Sequence, residues 1–229
     1  MRTLGLIGGT GWVSTIEYYR LINKLTNERL GGLNAARLIL YSVNYNDFEK
    51  MSQRNDTLSM MATLKHIALK LQAAEVDGIV ICANTLHRYA EDVQQALRIP
   101  LIHIGEATGL AVKEQGMKKV GLLGTKYTME LDFYSNKLAE QGIQTLVPET
   151  DDRNFIQQCI NDELLKNCFL EESKNRFLSI IDNLADKGAE GIILGCTEIP
   201  LLIKPEDVRL PLFNTTEIHA RAAVNFALD

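Results

Sequence analysis

Short apolar runs alternate with longer segments of helical period along the chain. The runs are rich in Val, Ile and Leu at successive positions, which is typical of strands buried on both faces of a parallel sheet. Between them, amphipathic segments over Leu58–Ala74, Phe155–Leu164 and Glu171–Lys187 predict helices. This alternation predicts an α/β fold of βαβ units. The predicted strands are Thr3–Ile7, Ala36–Ser42, Gly78–Cys82, Leu101–Ile104, Lys119–Leu123, Gln144–Leu146, Gly191–Leu194 and Leu210–Phe213.

Two pairs of segments repeat along the chain in the same order. Residues 77–86 read DGIVICANTL and residues 190–199 read EGIILGCTEI, while LGLIGG from residue 4 is echoed by VGLLGT from residue 120. This repeat predicts two pseudo-symmetric lobes, each a mostly parallel sheet flanked by helices. We expect the first lobe to span residues 1–103 and to be completed by residues 212–229. The second lobe is then residues 104–211.

Polar residues follow several of the predicted strands at their carboxyl ends. In open α/β sheets, small ligands bind beyond this edge of the sheet. We therefore expect a small-molecule site in a cleft between the two lobes, with both sets of strand ends facing it. The residues concerned are Gly8-Gly9-Thr10, Asn84-Thr85, Gly124-Thr125 and Cys196-Thr197.

Net charge, the length of apolar runs and the spacing of Cys and His exclude several classes of function. The net charge is -5 and there is no basic stripe, so no nucleic-acid partner is expected. No apolar run approaches the roughly 20 residues of a membrane span, so no membrane association is expected either. The first apolar run is also shorter than a signal peptide requires, which favours a cytoplasmic protein. The four cysteines and four histidines show no metal-ligand spacing, so no metal site is predicted.

Cys196 is the candidate catalytic residue. It stands at a strand-to-helix turn, where the amides of the next helix are expected to lower the thiol pKa and to bind a carboxylate. A thiolate so placed can act as a nucleophile or a general base. The alternative is a buried, inert cysteine. Asn84 and Thr85 mark the matching turn of the first lobe, where helix capping is the structural alternative, and His87 is expected on the helix surface or in packing.

Five segments resemble the aspartate/glutamate racemase family. They are LGLIGGTGWVSTIEYYR, VICANTLH, VGLLGTKYTME, GIILGCTEI and PLFNTTEIHARAAV, and they follow the family's order over nearly the whole chain. The resemblance implies a two-lobed fold, a homodimer, and racemisation of aspartate or glutamate with no cofactor. One cysteine thiolate removes the α-proton while a thiol on the opposite face returns one.

The resemblance also implies the substrate contacts. Asn84, Thr85, Thr125, Thr128 and Thr197 match positions that hold the α-carboxylate and α-amino groups, and Thr10 matches the glycine-rich first turn that lines the cleft. Gln53 and Arg54 fall in the loop from which such enzymes recruit a cation for the side-chain carboxylate. Arg54 as an ordinary surface residue is the alternative.

The first catalytic cysteine of the family pattern is absent. Ala83 occupies its position immediately before Asn84-Thr85, and the internal repeat also aligns Ala83 with Cys196. Cys82 is one residue early, so on a strand its side chain is expected to point away from the site. A one-sided racemase, a single-cysteine enzyme and an engineered substitution all fit this departure.

Three functions therefore remain open. The leading one is an aspartate or glutamate racemase, impaired or one-sided because of Ala83. The second is a single-cysteine isomerase or decarboxylase acting on a small dicarboxylate. The third is a non-catalytic amino-acid-binding protein.

Overall fold

The computed structural model describes residues 1–229 and contains two four-stranded sheets in which every pair of neighbouring strands is parallel. The α/β prediction is confirmed, and all eight predicted strands are present with bounds that differ by at most two residues. The strands are β1 (Leu4–Gly8), β2 (Leu38–Ser42), β3 (Gly78–Ile81), β4 (Leu101–Ile102), β5 (Lys119–Gly124), β6 (Gln144–Leu146), β7 (Gly191–Gly195) and β8 (Leu212–Asn214).

Eleven α-helices connect and flank these strands. The three helices predicted from amphipathic periodicity are confirmed, over Thr57–Ala73, Thr150–Asp162 and Glu171–Asp186. No helix combines the length and apolar character needed to cross a bilayer. The helices are α1 (Trp12–Leu30), α2 (Tyr45–Gln53), α3 (Thr57–Ala73), α4 (Ala90–Ala96), α5 (Ile104–Glu114), α6 (Lys126–Glu130), α7 (Asp132–Ala139), α8 (Thr150–Asp162), α9 (Glu171–Asp186), α10 (Ile199–Leu202) and α11 (Thr215–Leu228).

The two sheets share one strand order, β2-β1-β3-β4 in the first and β6-β5-β7-β8 in the second. In each sheet, an acidic residue immediately before β3 or β7 bonds to the backbone at the start of the neighbouring strand. Asp77 accepts a hydrogen bond from the backbone N–H of Thr3 at 2.6 Å and donates its own to the carbonyl of Thr3 at 2.8 Å. Glu190 makes the same two contacts with Lys119, at 3.0 and 2.8 Å. These bonds fix the registers of β3 beside β1 and of β7 beside β5.

The chain forms two compact units, residues 1–103 with 219–229 and residues 104–218. The sequence predicted that the chain returns to the first unit at residue 212. In the structure β8 pairs with β7, so residues 212–218 stay with the second unit and the return begins at His219 within α11. The apolar run of residues 210–213 does not itself show which sheet it joins, because an apolar strand could pair with either one.

The inner strands β3 and β7 are buried on both faces, and their side chains alternate between two core clusters. In the first unit Ile79 and Ile81 pack on one face, while Val80 and Cys82 pack on the other. In the second unit Ile192 and Leu194 share one cluster and Ile193 belongs to the opposite one. The two-residue period of a strand produces this division.

Helix α1 has both a buried and an exposed apolar face. Tyr18 is fully buried, whereas Trp12, Ile16 and Tyr19 are 69%, 56% and 54% exposed. Exposed large apolar side chains on one helix are compatible with a protein–protein contact.

The homodimer implied by the family resemblance stays a prediction. Analytical ultracentrifugation would test it, and a monomer at micromolar concentration would contradict it.

Gly191 allows a close approach at the start of β7, and Gly191→Ala tests it. A Cβ at this position would lie 2.8 Å from Cε2 of Phe213 and 3.2 Å from the backbone oxygen of Pro211. We expect overpacking to lower the free energy of unfolding by about 1–3 kcal/mol, measured by urea denaturation. The control is Gly109→Ala in α5, where the nearest atom is Cγ of the flexible Gln141 side chain at 3.1 Å. An equal or smaller loss at Gly191 than at Gly109 would contradict the packing argument.

Candidate active site

The turn after β7 places Cys196 at the carboxyl end of the second sheet. β7 ends at Gly195, and residues 196–198 form a turn that leads into α10. Cys196 is 8% exposed and packs in one core cluster with Ile192 and Leu194. The alternation of β7 therefore extends one step beyond the strand and delivers the thiol to that face.

A buried carboxylate lies against this thiol. Sγ of Cys196 donates to Oε2 of Glu198 at 3.0 Å, and the hydroxyl of Thr197 donates to the same oxygen at 2.7 Å. Glu198 is itself 7% exposed. Sequence reasoning assigned Glu198 no role. Its position in a turn, two residues after the candidate cysteine, was the signal that could have indicated a contact with the thiol.

The electrostatic surroundings of Cys196 oppose ionisation of the resting thiol. Burial raises its pKa, and the neighbouring Glu198 carboxylate raises the pKa further, while the backbone N–H groups of Glu198 and Ile199 lower it. The net direction is opposite to the one expected from the sequence. Two causes explain the difference: the following helix, α10, has only four residues, and a carboxylate shares the turn.

The matching turn of the first unit carries Ala83 instead of a thiol. Ala83 packs against the cluster that contains Ile79 and Ile81, just as Cys196 packs with Ile192 and Leu194. Cys82 lies in the opposite cluster, is 1% exposed, and its pKa is raised by burial. The predicted orientation of Cys82 is therefore correct, and the structure gives Ala83 the position equivalent to Cys196.

Asn84 precedes a 3-10 helical turn, residues 85–89, that begins at Thr85 and stands where an α-helix was expected. Asn84 has α-helical backbone angles, with φ -67° and ψ -53°, and its side chain makes no capping hydrogen bond. The capping interpretation of Asn84 was therefore wrong, because an N-cap residue normally has extended backbone angles. Asn84 is buried and Thr85 is half-buried.

Thr125 and Thr128 are brought together at the end of β5. Oγ1 of Thr125 accepts a hydrogen bond from the backbone N–H of Thr128 at 3.3 Å, so Thr125 caps α6. The two hydroxyl oxygens are 3.1 Å apart. Thr128 is 1% exposed, and this pair presents hydroxyl groups at the same edge of the second sheet that carries Cys196.

The remaining predicted binding residues lie in the first unit. Thr10 follows β1, and its Oγ1 is buried without a hydrogen-bond partner, whereas Oγ1 of Thr15 accepts from the backbone N–H of Gly9 at 2.8 Å. Gln53 donates from Nε2 to Oε1 of Glu49 at 3.1 Å at the end of α2. Arg54 is the exposed residue that follows. A contact of these residues with substrate stays a prediction.

Residues 7–223 match the family described as Asp/Glu/hydantoin racemase. The chain belongs to this family. A structure described as a putative Asp/Glu racemase from Yersinia pestis is 43% identical, covers 100% of both chains and has a TM-score of 0.95. An aspartate racemase homologue from Pyrococcus horikoshii is 33% identical, also covers 100% of both chains and has a TM-score of 0.87.

One relative is less similar in sequence than these two structures. The broad specificity amino-acid racemase RacX of Bacillus subtilis is 26% identical over 163 residues, which is 69% of this chain and 68% of the relative. Together with the match to the Asp/Glu/hydantoin racemase family, these similarities support an amino-acid racemase. No group of three or more His, Cys, Asp or Glu side chains in the structure has the geometry to hold a metal ion.

Behind the Ala83 turn, this racemase-family chain buries a histidine cluster that the sequence did not reveal. Nδ1 of His87 donates to the carbonyl of Ala83 at 2.7 Å, and its ring centroid is 4.8 Å from that of His103 and 5.3 Å from that of His219. His219 donates from Nε2 to the carbonyl of Ile102 at 2.7 Å, so its Nδ1 accepts from the hydroxyl of Tyr18 at 2.8 Å. His87 and His219 are 1% and 0% exposed.

Burial lowers the pKa of His87 to about 4, and burial together with the neighbouring His87 lowers the pKa of His219 to about 3. Because both folded-state values lie below the ordinary value near 6.5, the unfolded chain binds more protons as the pH falls. Their contribution to stability is therefore complete above about pH 6.5 and is lost progressively toward pH 4 and then pH 3.

We expect the free energy of unfolding to fall between pH 6.5 and 4.5, with a slope that approaches about 1.4 kcal/mol per pH unit for each imidazole. Urea denaturation at half-unit pH steps measures this slope. In His87→Gln the slope should be shallower, because one titrating group is gone. The exposed His66 on α3 provides the control, His66→Gln. Parallel slopes in all three proteins would contradict the assignment.

Proposed function

We propose that the protein is a pyridoxal-independent amino-acid racemase acting on aspartate or glutamate, in which Cys196 moves the α-proton. One observation carries the proposal: a thiol lies at the carboxyl end of β7 with a buried carboxylate, Glu198, at 3.0 Å to exchange its proton. The family match and the 43% identity to a putative Asp/Glu racemase support this substrate class.

Proton transfer at the α-carbon sets two demands. The α-proton of an amino acid is a very weak acid, so donors must stabilise the charge that develops on the α-carboxylate during its removal. Inversion also requires a proton to leave one face and another to arrive at the opposite face. Cys196 meets the demand on one face. Ala83 carries no ionisable group. We therefore propose an impaired or one-sided racemase, in which Cys196 serves one face of the substrate and water, or a group other than a thiol, serves the second face.

The substrate contacts form the second part of the proposal. Hydroxyl and amide groups donate hydrogen bonds to carboxylates, and arginine binds them with two parallel N–H bonds. We propose that Arg54 and Gln53 bind the side-chain carboxylate. The other polar residues at the strand ends bind the α-carboxylate and α-amino groups: Thr10, Asn84, Thr85, Thr125, Thr128 and Thr197.

A second candidate follows from the same asymmetry. Because Ala83 occupies the position equivalent to Cys196, only one of these two turns carries a thiol. A single thiol also suits a one-cysteine isomerase or decarboxylase of a small dicarboxylate. Such an enzyme protonates or deprotonates one face only. It is distinguished from a racemase by the absence of inversion, and a binding protein is distinguished from both by the absence of exchange.

Replacement of Cys196 tests the racemase directly. The protein is incubated in D2O with L-Asp, D-Asp, L-Glu and D-Glu separately, with loss of the Cα proton followed by NMR and inversion by chiral chromatography. We expect Cys196→Ser to slow exchange by at least ~100-fold, because a hydroxyl is a far weaker acid than a thiol. The exposed Cys168 supplies the control, Cys168→Ser, which should keep the parent rate. Binding of all four amino acids with no exchange in the parent protein would exclude a racemase of Asp or Glu.

A thiol at position 83 should supply the missing acid. Because Ala83 lies on the face equivalent to that of Cys196, we expect Ala83→Cys to raise the rate of inversion by ~10-fold or more, relative to the rate of exchange. Ala83→Ser is the matched control, since it adds a side chain of similar size with no thiol. Equal inversion rates in the two variants would argue against position 83 as a proton-transfer position.

A further inference from the structure

Thr216 lies near Cys196 at the carboxyl end of the second sheet. In the parallel pairing of β7 and β8, Leu194 is opposite Asn214. Cys196 and Thr216 each stand two residues beyond that pair, so the register brings their backbones close together. Oγ1 of Thr215 donates to the carbonyl of Leu194 at 2.9 Å, which holds the first turn of α11 against the end of β7.

The hydroxyl of Thr216 is buried and has no hydrogen-bond partner. Thr216 is 2% exposed, and its Oγ1 is shielded from solvent and forms no hydrogen bond with the protein. By contrast, the nearby hydroxyls of Thr215 and Thr197 both donate to oxygen atoms of the protein. A buried hydroxyl without a partner lowers stability relative to an apolar group of the same shape. A partner that arrives with a ligand explains why such a group is present.

Thr216 also stands in the first turn of a long helix. α11 has 14 residues, whereas α10, which follows Cys196, has four. Oδ1 of Asn214 accepts from the backbone N–H groups of Thr216 and Glu217, at 3.1 and 3.4 Å, and so caps α11 without adding a charge. Glu217, the acidic residue of this turn, is exposed. The positive end of the helix dipole therefore favours an anion at the hydroxyl of Thr216.

We infer that the hydroxyl of Thr216 donates a hydrogen bond to the α-carboxylate of the substrate while the α-carbon lies at Cys196. The inference rests on the proposed function and adds a residue from α11 to the proposed substrate contacts. Oγ1 of Thr10, one of those contacts, is likewise buried without a partner. Because Oγ1 of Thr216 is shielded from solvent, its hydrogen bond to a charged group is stronger than it would be in water.

The hydroxyl has a specific part in proton transfer. Negative charge grows on the α-carboxylate as the α-proton leaves, so a donor fixed at this position stabilises the transition state more than the bound substrate. Loss of the donor should therefore lower kcat/KM more than it weakens binding.

Replacement by valine separates this role from a structural one. Val has the shape of Thr without the hydroxyl, so Thr216→Val removes only the unpartnered group. We expect the midpoint of thermal unfolding to rise by about 1–4 °C, because the cost of the buried hydroxyl is gone. In the D2O assay with the four amino acids, we expect kcat/KM for Cα exchange to fall by ~100-fold. Isothermal titration calorimetry should show about tenfold weaker binding of the best substrate.

The chain offers a matched control in α1. Thr26 is 0% exposed, and its Oγ1 is also buried without a hydrogen-bond partner. It lies toward the carboxyl end of α1, whereas α1 begins beside the end of β1, so Thr26 is remote from the strand ends that carry the site. Thr26→Val should raise the unfolding midpoint as Thr216→Val does, while exchange and binding stay at the parent values. Thr216→Ser keeps the hydroxyl and should keep a kcat/KM close to that of the parent.

The inference is overturned by unchanged exchange in Thr216→Val, or by an equal loss in Thr216→Val and Thr216→Ser. A loss of stability or of folding in Thr216→Val also overturns it, because the hydroxyl would then have a structural partner. If the parent binds one of the four amino acids but exchanges none, the proposed function fails and calorimetry with that amino acid decides the inference. About tenfold weaker binding to Thr216→Val supports it, and equal binding overturns it. A parent that binds none of the four overturns both.

Discussion

Burial on both faces of two short strands, β3 and β7, determines which side chains reach the ends of the sheets. Both strands carry apolar side chains at successive positions, and core clusters cover both faces. A shift of one residue in either strand would exchange the two faces at once. For this reason the register set at Asp77 and Glu190 also decides that Ala83 and Cys196 occupy equivalent positions, while Cys82 is directed into the opposite core.

The proposed role of Cys196 sets two opposed requirements at its turn. Removal of an α-proton needs a thiolate, but burial and the Glu198 carboxylate favour the thiol. In the proposed function the two groups exchange one proton, so the pair carries one negative charge whether the proton is on sulfur or on oxygen. The hydroxyl of Thr197 holds the carboxylate oxygen in place from a second direction. Since α10 is a single turn, local N–H groups and this carboxylate, rather than a long helix dipole, govern the thiol.

The features that the sequence predicted correctly are those that depend on the local pattern of apolar and polar residues. The eight strands follow from continuous apolar runs, and the orientation of Cys82 follows from the two-residue period. It could not predict contacts between distant segments, such as the hydrogen bond from Tyr18 to His219 or the one from His219 to the carbonyl of Ile102. It also placed an ordinary helix after each turn, because an apolar sequence does not reveal how soon a helix ends. For Gln53, Arg54 and Thr10, the predicted contact with substrate rests on their positions in the sequence alone.

The histidine nearest to the Ala83 turn is a poor proton donor. His87 donates its Nδ1 proton to the carbonyl of Ala83 and is buried with two other imidazoles. With a pKa of about 4, only ~10⁻³ of this side chain is protonated at pH 7. Its neutral form holds its single ring proton in a backbone hydrogen bond, so it has no proton to give to a substrate. In the proposed mechanism, the acid–base chemistry at the strand ends therefore depends on Cys196 and Glu198 rather than on the Ala83 turn.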